Sequence, residues 1–356
     1  MKNIAINGFG RIGRLFFRKA FDEKKLNIVA INDLGDAMNL AYLLKFDSVY
    51  GKYGRDVRVE EKNGKKYLVV GDTSILFLQE KDPLKLPWKE LEVDVVVEST
   101  GVFESYEKAK VHCDAGAKRV VITAPAKDPA PEPVRCGTSA DGSNIFGRTI
   151  LMGINDEEMK KVTITSNGSC TTNATSPVIQ ILHEAIGVEK AALSTVHAYT
   201  ATQSIVDSPV KGNDFRRGRA AAQNIVPSTT GAAIAVTRVL PELEGKFDGI
   251  AMRVPVVSGS VVDLTLVMKR KTTVEEINNE FLKATNDKRW NGIFTVSNEQ
   301  IVSSDIVGEP YGAIVDLMFT KVIDGDLVKV LSWYDNEAGY VATLLRHVLL
   351  SSECAS

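Results

Sequence analysis

Lys2-Asn3-Ile4-Ala5-Ile6-Asn7-Gly8-Phe9-Gly10-Arg11-Ile12-Gly13 is the stretch that decides the first half of the chain. Lys2 to Asn7 reads as a short buried strand, and Arg14-Leu15-Phe16-Phe17-Arg18-Lys19-Ala20-Phe21 as a helix. Between them runs G-x-G-x-x-G, in the strand–turn–helix context that gives this motif its meaning. Gly8 allows the tight turn, Gly10 lets the backbone approach a pyrophosphate, and Gly13 lets helix and strand pack closely. The helix N-terminus then presents free N–H groups to phosphate.

Outward from this turn, Asn27-Ile28-Val29-Ala30-Ile31-Asn32 reads as a second strand ending at Asp33, 20 residues beyond Gly13 (33 − 13). An acidic side chain at that spacing meets the adenosine ribose hydroxyls of a dinucleotide. Asp33 also suits an ordinary strand-end turn. In the cofactor reading it repels a 2′-phosphate, and Leu34 supplies no cation to bind one, which favours NAD over NADP. Val93 to Gly101 and Lys118 to Pro125 are further buried-strand patterns, separated by a helical stretch from Ser105 to Ala115. Such alternation predicts a doubly wound parallel sheet of Rossmann type. Ligands sit at the carboxyl ends of such strands, so Ser99, Thr100, Gly101 and Thr123 are candidate cofactor contacts. Between Gly54 and Phe77, alternation around Asn63-Gly64 predicts an antiparallel hairpin. Asp128-Pro129-Ala130-Pro131-Glu132-Pro133 and Ser139 to Asn144 read as one exposed loop.

The second half turns on Ser166-Asn167-Gly168-Ser169-Cys170-Thr171-Thr172-Asn173. It joins a strand pattern, Lys161 to Thr165, to a helical one, Val178 to Ile186. Cys170 therefore lies at or beside a helix N-terminus, whose dipole favours an anion. The thiol is expected to ionise more easily than a free cysteine and to act as a nucleophile. A buried, inert cysteine is the alternative. His197 follows 27 residues later (197 − 170), near the end of a strand running from Ala191 to Thr200. Strand, helix and strand are read as one βαβ unit, which brings both residues to one end of a sheet. The imidazole can then take and return the thiol proton. His112, His183 and His347 read as ordinary hydrogen-bonding residues.

Arg216-Arg217-Gly218-Arg219 lies in a polar loop, and Pro227-Ser228-Thr229-Thr230-Gly231-Ala232-Ala233 opens another helix. With Arg253 these segments point to phosphate handling. Val261 to Met268, Ala313 to Met318 and Val328 to Tyr334 predict a mixed or antiparallel sheet, and Gly339 to Ser351 a closing helix.

At 356 residues the chain is expected to form about two domains. Hydrophobic content is 44%, charged content 25% and net charge −2, so nothing favours nucleic acid or an anionic membrane as partner. Cys113, Cys136, Cys170 and Cys354 show no C-x-x-C spacing, which argues against a zinc site or disulfide framework. No metal, no secretory leader and a cytoplasmic location are expected.

The order and spacing of several blocks resemble the phosphorylating glyceraldehyde-3-phosphate dehydrogenases over nearly the whole chain. These blocks are Asn7 to Arg14, Ile31-Asn32-Asp33, Glu98 to Gly101, Ser169 to Asn173, Val196 to Thr200, Pro227 to Ala233, Arg253-Val254-Pro255 and Ser332 to Glu337. The resemblance implies an N-terminal Rossmann domain over 1–169, completed by a C-terminal helix over 337–356, and an α+β catalytic domain over 170–336. It implies Cys170 as nucleophile and His197 as base, with Thr200 and Arg253 on the substrate phosphate. Ser169, Thr171, Arg217, Thr230 and Gly231 would surround inorganic phosphate. Arg11, Ile12 and Asp33 would bind NAD, and Asn336 would fix the nicotinamide amide. The loop from about Val206 to Ala222 would join subunits of a homotetramer. Ala174 stands where the family commonly has a cysteine, the Asp128–Arg148 loop is longer than usual, and the Val206–Ala222 loop departs in length and composition. Other readings are an erythrose-4-phosphate dehydrogenase, a semialdehyde dehydrogenase, and a redox-responsive nucleotide- or RNA-binding module.

Overall fold

The structure is a computed structural model that describes residues 1–128, 134–138, 142–210 and 212–355. The chain divides into two units, Met1–Gly168 with Leu344–Ser356, and Ser169–Thr343.

In the first unit β1 (Lys2–Asn7) runs into α1 (Arg11–Ala20), then β2 (Leu26–Asn32) and α2 (Ala37–Lys45). Among the described residues, the two-residue strands β3 (Phe46–Asp47) and β4 (Gly51–Lys52) pair only with each other. β5 (Val57–Lys62), β6 (Lys65–Val70) and β7 (Thr73–Leu78) follow as a meander. Next come β8 (Val95–Glu98), α3 (Tyr106–Asp114), β9 (Arg119–Ile122), β10 (Val134–Thr138), β11 (Asn144–Thr149) and β12 (Ile164–Ser166). Ten strands make one sheet in the order β10-β11-β12-β9-β8-β1-β2-β7-β6-β5. Its centre, from β11 to β7, is parallel. Every residue of β8 and β9 is buried, as a sheet covered on both faces requires. The doubly wound parallel sheet expected from the strand–helix alternation is present.

Local chemistry explains much of this unit. Asn63 and Gly64 both take positive φ (52° and 71°) between the paired Lys62 and Lys65, the two-residue turn that asparagine–glycine favours. Ser105 caps α3 by accepting the Lys108 N–H. The exposed-loop reading of 128–144 is corrected in part. β10 and β11 pair antiparallel at the sheet edge, and Asp128 is buried, its carboxylate accepting the Tyr106 N–H at 2.6 Å. The prolines at 129, 131 and 133, and Ser139 to Asp141, lie outside the described residues.

The second unit starts with α4 (Cys170–Ala185) and β13 (Val188–Ala198). It continues through β14 (Val226–Thr229), α5 (Ala232–Thr237), β15 (Phe247–Val254), β16 (Ser260–Met268) and α6 (Val274–Thr285). β17 (Phe294–Ser297), β18 (Ala313–Ile323), β19 (Leu327–Tyr334) and the start of α7 (Ala338–Glu353) complete it. The seven-stranded sheet has the order β14-β15-β13-β16-β19-β18-β17 and is mixed, with β13–β15 and β17–β18 parallel and the other neighbours antiparallel. β16 and β19 alternate strictly between buried and half-buried positions, the period-two pattern of a sheet with one packed face. From Leu344 onward α7 belongs to the first unit, where His347 bonds Thr165 Oγ1 at 2.7 Å and Arg119 Nε donates to Ser351 Oγ at 3.0 Å.

One expectation fails. β12 and β13 flank α4 but belong to different sheets, so they do not form a βαβ unit. A crossover rule applies only to strands that share a sheet. The nearest neighbours of β13 are instead β15 and β16, far along the sequence.

Candidate active site

In the first unit the glycine turn is cut to fit a ligand. Gly8 has φ +96°, and a Cβ there would stand 2.6 Å from the Ser99 carbonyl carbon and the Thr100 nitrogen. A Cβ on Gly13 would lie 2.1 Å from the Gly8 carbonyl oxygen, so helix and strand touch only because it is absent. Gly10 is the reverse case. A Cβ there would meet nothing within 4 Å, and as N-cap of α1 it leaves the helix with no side-chain cap. The residues present thus fit a pyrophosphate against the N-terminus of α1. Asp33 is held at this turn, its carboxylate accepting the Phe9 N–H at 2.6 Å and the Gly35 N–H at 2.8 Å, while Leu34 beside it is exposed.

Other candidates divide by where their side chains go. The Arg11 guanidinium pairs with Asp47 at 3.0 Å, while the backbone of Arg11 and Ile12 forms the start of α1. The Ser99 hydroxyl donates to the Gly8 carbonyl at 2.7 Å and buttresses the turn from beneath. Thr100 is exposed, and its N–H donates to Glu98 Oε1 at 2.9 Å. Glu98 is buried, and its other oxygen is bonded by Asn7 and His112. Thr123 follows β9, with its N–H on the Glu98 carbonyl.

In the second unit Cys170 is the first residue of α4. Ser169 accepts the Thr172 N–H at 3.0 Å, and Thr172 Oγ1 accepts the Ser169 N–H at 3.3 Å, closing a capping box around the turn. Cys170 Sγ lies 3.3 Å from His197 Nε2. The imidazole is buried, and its Nδ1 is 2.6 Å from the Ala198 carbonyl and 2.7 Å from Arg253 Nη1. His197 and Arg253 are direct partners in the parallel β13–β15 register.

The electrostatics correct one expectation. Burial pushes the Cys170 thiol up, outweighing the downward pull of Arg253, the Thr171 hydroxyl and the N–H groups of Thr171 and Cys170 itself. The helix start does favour the thiolate, but withdrawal from water costs more. His197 is pushed down to about 3, first by burial and then by the Arg253 charge. Thiol and imidazole therefore rest neutral, and moving the proton from sulfur to nitrogen makes two charges that offset each other across one short contact.

Around this pair, Thr200 Oγ1 bonds Thr202 Oγ1 at 2.9 Å, and Arg217 Nη1 donates to Thr202 Oγ1 at 3.2 Å. Arg217 also acts on Arg253 as a like charge. The second unit thus brings together Thr200, Arg217, Arg253, His197 and Cys170. The Thr171 hydroxyl turns inward to Tyr334 at 2.9 Å, and the Ser169 hydroxyl is spent on the capping box. Thr230 Oγ1 accepts the Ala232 N–H at 3.2 Å beside Gly231, the N-cap of α5, which has no side-chain cap. Asn336 is buried, its carbonyl oxygen accepting from Ser260 Oγ at 2.8 Å, and Ser260 in turn accepts the Ala198 N–H at 3.0 Å.

Two contributors had no reading of their own in the sequence. Tyr334 bridges Thr171 and Thr195 through its hydroxyl, each at 2.9 Å, and sets its ring edge-on to His197 at 5.9 Å. Thr202 links Thr200 to Arg217. Alternation along β19 marks Tyr334 as inward-facing, but nothing local says against what.

All four cysteines are free. Burial pushes Cys113 and Cys136 up to about 12, against weaker downward pulls from Lys110 on both and from Arg119 on Cys113. Among the described residues no group of three or more His, Cys, Asp or Glu is placed to hold a metal ion, and no helix is long and apolar enough to cross a membrane.

Comparison with known proteins carries this geometry to a family. Residues 2–106 match the family model for the glyceraldehyde 3-phosphate dehydrogenase NAD binding domain, and residues 169–336 that for its C-terminal domain. The chain is 45% identical over 350 residues to a glyceraldehyde-3-phosphate dehydrogenase of Clostridium pasteurianum, covering 97% of each protein. It is 47% identical over 339 residues to that of Geobacillus stearothermophilus, covering 95% of this chain and 94% of the relative. Glyceraldehyde-3-phosphate dehydrogenase 2 of Bacillus subtilis is 43% identical over 350 residues, at 97% and 96% coverage. With a cofactor-shaped glycine turn in one unit and a cysteine–histidine pair among arginines in the other, the chain belongs to the glyceraldehyde-3-phosphate dehydrogenase family.

Proposed function

We propose that this chain oxidises glyceraldehyde 3-phosphate with NAD and inorganic phosphate, giving 1,3-bisphosphoglycerate through a thioester on Cys170. The observation that carries the reading is the 3.3 Å contact between Cys170 Sγ and His197 Nε2 at the first residue of α4.

An aldehyde does not readily lose its hydrogen as hydride, because the acyl cation left behind is too unstable. Cys170 removes that obstacle. Its sulfur bonds to the carbonyl carbon as its proton passes to His197 Nε2, and the carbonyl oxygen takes a proton to give a thiohemiacetal. The Cys170 N–H, which the Ser169–Thr172 capping box does not use, is suited to stabilise that oxygen while it is negative. NAD, when bound, supplies the acceptor for the hydride. His197 then takes the hydroxyl proton as the C=O bond re-forms, which leaves a thioester on Cys170. Inorganic phosphate attacks the thioester carbon, the C–S bond breaks, and Cys170 leaves as thiolate. Thr200 and Arg253 hold the phosphate carried by the substrate. Arg217, Thr230 and Gly231 receive the inorganic phosphate, with Ser169 and Thr171 shaping the turn beside them. Gly8, Gly10, Gly13, Arg11, Ile12, Asp33, Leu34, Ser99, Thr100 and Thr123 form the cofactor cradle. Asn336 meets the nicotinamide amide.

The same reading makes the protein a cytoplasmic homotetramer. Ile205, Val206, Phe215 and Ile225 leave large apolar surfaces exposed along the loop that would join subunits, which supports association. Light scattering at micromolar concentration tests it, and a monomer at all concentrations would refute it.

The activity is tested by NADH formation from glyceraldehyde 3-phosphate, NAD and phosphate. Cys170→Ser is expected to lose at least about a thousandfold in turnover while melting like the parent. Near-normal turnover in that variant would sink the mechanism.

A further inference from the structure

One buried carboxylate of the first unit has no part in the proposed reaction, yet four donors converge on it. It belongs to Glu98, the last residue of β8. Glu98 Oε1 accepts the Thr100 N–H at 2.9 Å and the Thr100 hydroxyl. Its Oε2 accepts from Asn7 Nδ2 at 2.6 Å and from His112 Nε2 at 3.0 Å.

The direction of each of these bonds is forced. A peptide N–H only donates, so the Glu80 N–H, 2.9 Å from Asn32 Oδ1, fixes which end of that amide is oxygen. Asn32 Nδ2 then donates to Asn7 Oδ1 at 2.8 Å, which leaves the Asn7 NH2 group facing Glu98. An indole N–H also only donates. Trp88 Nε1, at 3.2 Å, therefore makes His112 Nδ1 an acceptor and puts the ring proton on Nε2, against Glu98. The Thr100 oxygen receives the Val102 N–H at 3.0 Å and keeps its own hydrogen for Glu98. Four hydrogens thus point at two oxygens from groups that cannot turn round, and only a side chain accepting on both oxygens satisfies them.

We propose that Glu98 is a positioning residue for the cofactor: its carboxylate holds the loop from Ser99 to Val102 in its NAD-receiving shape before any NAD is bound. The inference rests on the proposed reading of Thr100 as a cofactor contact and adds what sets that contact. The same carboxylate ties together the ends of three strands. Asn7 directly precedes Gly8, Asn32 directly precedes Asp33, and Ser99 and Thr100 directly follow β8. A ligand laid across ends that are already ordered loses less of its binding energy to ordering them.

Burial decides which bond yields first. Asn7, Asn32, His112 and Trp88 are buried, whereas Thr100 is exposed. Glu98→Gln keeps the shape of the side chain but turns one oxygen into an NH2 group, so two donors lose their acceptor. The cheaper loss is at Thr100, which can bond water instead. The variant therefore keeps its sheet and releases its cofactor loop.

Hydrogen exchange followed residue by residue by mass spectrometry reads that loop directly. In the wild type without NAD, the Thr100 and Val102 amides should exchange about a hundredfold more slowly than in an unstructured peptide, although both residues are exposed. In Glu98→Gln both should lose that protection while Val96 and Val97 of β8 keep theirs. Calorimetric titration should show NAD bound about tenfold more weakly, with turnover at saturating NAD within about twofold of the parent. Faster exchange spread along β8, or an NAD affinity equal to the parent's, would reduce Glu98 to a structural part and overturn the proposal. Unprotected Thr100 and Val102 amides in the free wild type would overturn it as well, and that measurement needs no variant to fold. A wild type that binds no NAD would instead strike the cofactor reading itself.

Discussion

Two turns in this protein do the same topological work, each handing a strand to a helix, and they are finished in opposite ways. The turn from β1 to α1 is stripped of side chains. Its N-cap is Gly10, no hydroxyl or carboxylate caps the helix, and the place of a Gly10 Cβ is open space. The turn from β12 to α4 is closed by its own hydroxyls, with Ser169 and Thr172 satisfying each other's N–H groups. A helix start left bare suits a visiting phosphate. One whose cap is already made presents a residue of the protein, here the Cys170 sulfur. In the proposed function the same backbone dipole serves cofactor recognition in one unit and nucleophile placement in the other.

The sharpest way to break this contrast is to add one carbon to the bare turn. In Gly13→Ala the new Cβ meets backbone, the Gly8 carbonyl oxygen at 2.1 Å, and backbone cannot rotate away. We expect a loss of about 3 kcal/mol in denaturant unfolding, together with loss of NAD binding. A variant with wild-type stability would mean that the packing of α1 on β1 is looser than described.

Gly10→Val separates ligand from fold. Its Cβ meets nothing within 4 Å and its backbone is extended, at φ −68° and ψ −160°. Melting without cofactor should stay within about 1 °C, whereas NAD affinity falls about thirtyfold, roughly 2 kcal/mol. Calorimetric titration reads this directly. Unchanged affinity would remove the pyrophosphate from this turn.

At the cysteine turn the corresponding probe is acid. His197 takes up no proton in the fold until about pH 3, through burial and then Arg253, whereas in the unfolded chain it titrates near its ordinary value of about 6.5. Between those limits the unfolded chain binds the extra proton, so stability must fall as pH falls. The expected slope is about 1.4 kcal/mol per pH unit from this residue. His197→Asn should lose it, giving an unfolding curve flatter by about one proton between roughly pH 6 and 4. Equal slopes in the two proteins would show the imidazole to be hydrated or paired in a way the structure does not have.

How much of this was legible in the residues follows from how local each feature is. The Asn63-Gly64 turn, the helix beginning about Ser105 and the close packing at Gly8 and Gly13 depend on neighbours in sequence, and the structure has each of them. Cys170 was legible as a helix-start residue for the same reason. Its neutral thiol was not, because burial is set by the whole second unit. The meeting of Cys170 with His197 was anticipated through a βαβ unit that does not exist, since β12 and β13 lie in separate sheets. What brings His197 beside Arg253 is the pairing of β13 with β15, a partner some fifty residues away whose register no local pattern records. Tyr334 and Thr202 escaped for the same reason. Each matters for what it touches across the unit.

The smallest effect decides between two roles for one hydroxyl. The resemblance to the family puts Ser169 among the groups around inorganic phosphate, whereas in the structure its oxygen accepts the Thr172 N–H at 3.0 Å and bonds Thr172 Oγ1 at 2.8 Å. A hydroxyl so engaged has little left for an anion. Ser169→Ala should therefore act as the loss of a cap, costing about 1 kcal/mol in unfolding while the KM for phosphate stays within about twofold. A direct phosphate ligand would give the opposite split, with unfolding unchanged and the KM raised about tenfold or more. If that second pattern is found, the turn opens its cap when phosphate arrives, and the contrast with the bare glycine turn is one of timing rather than of construction.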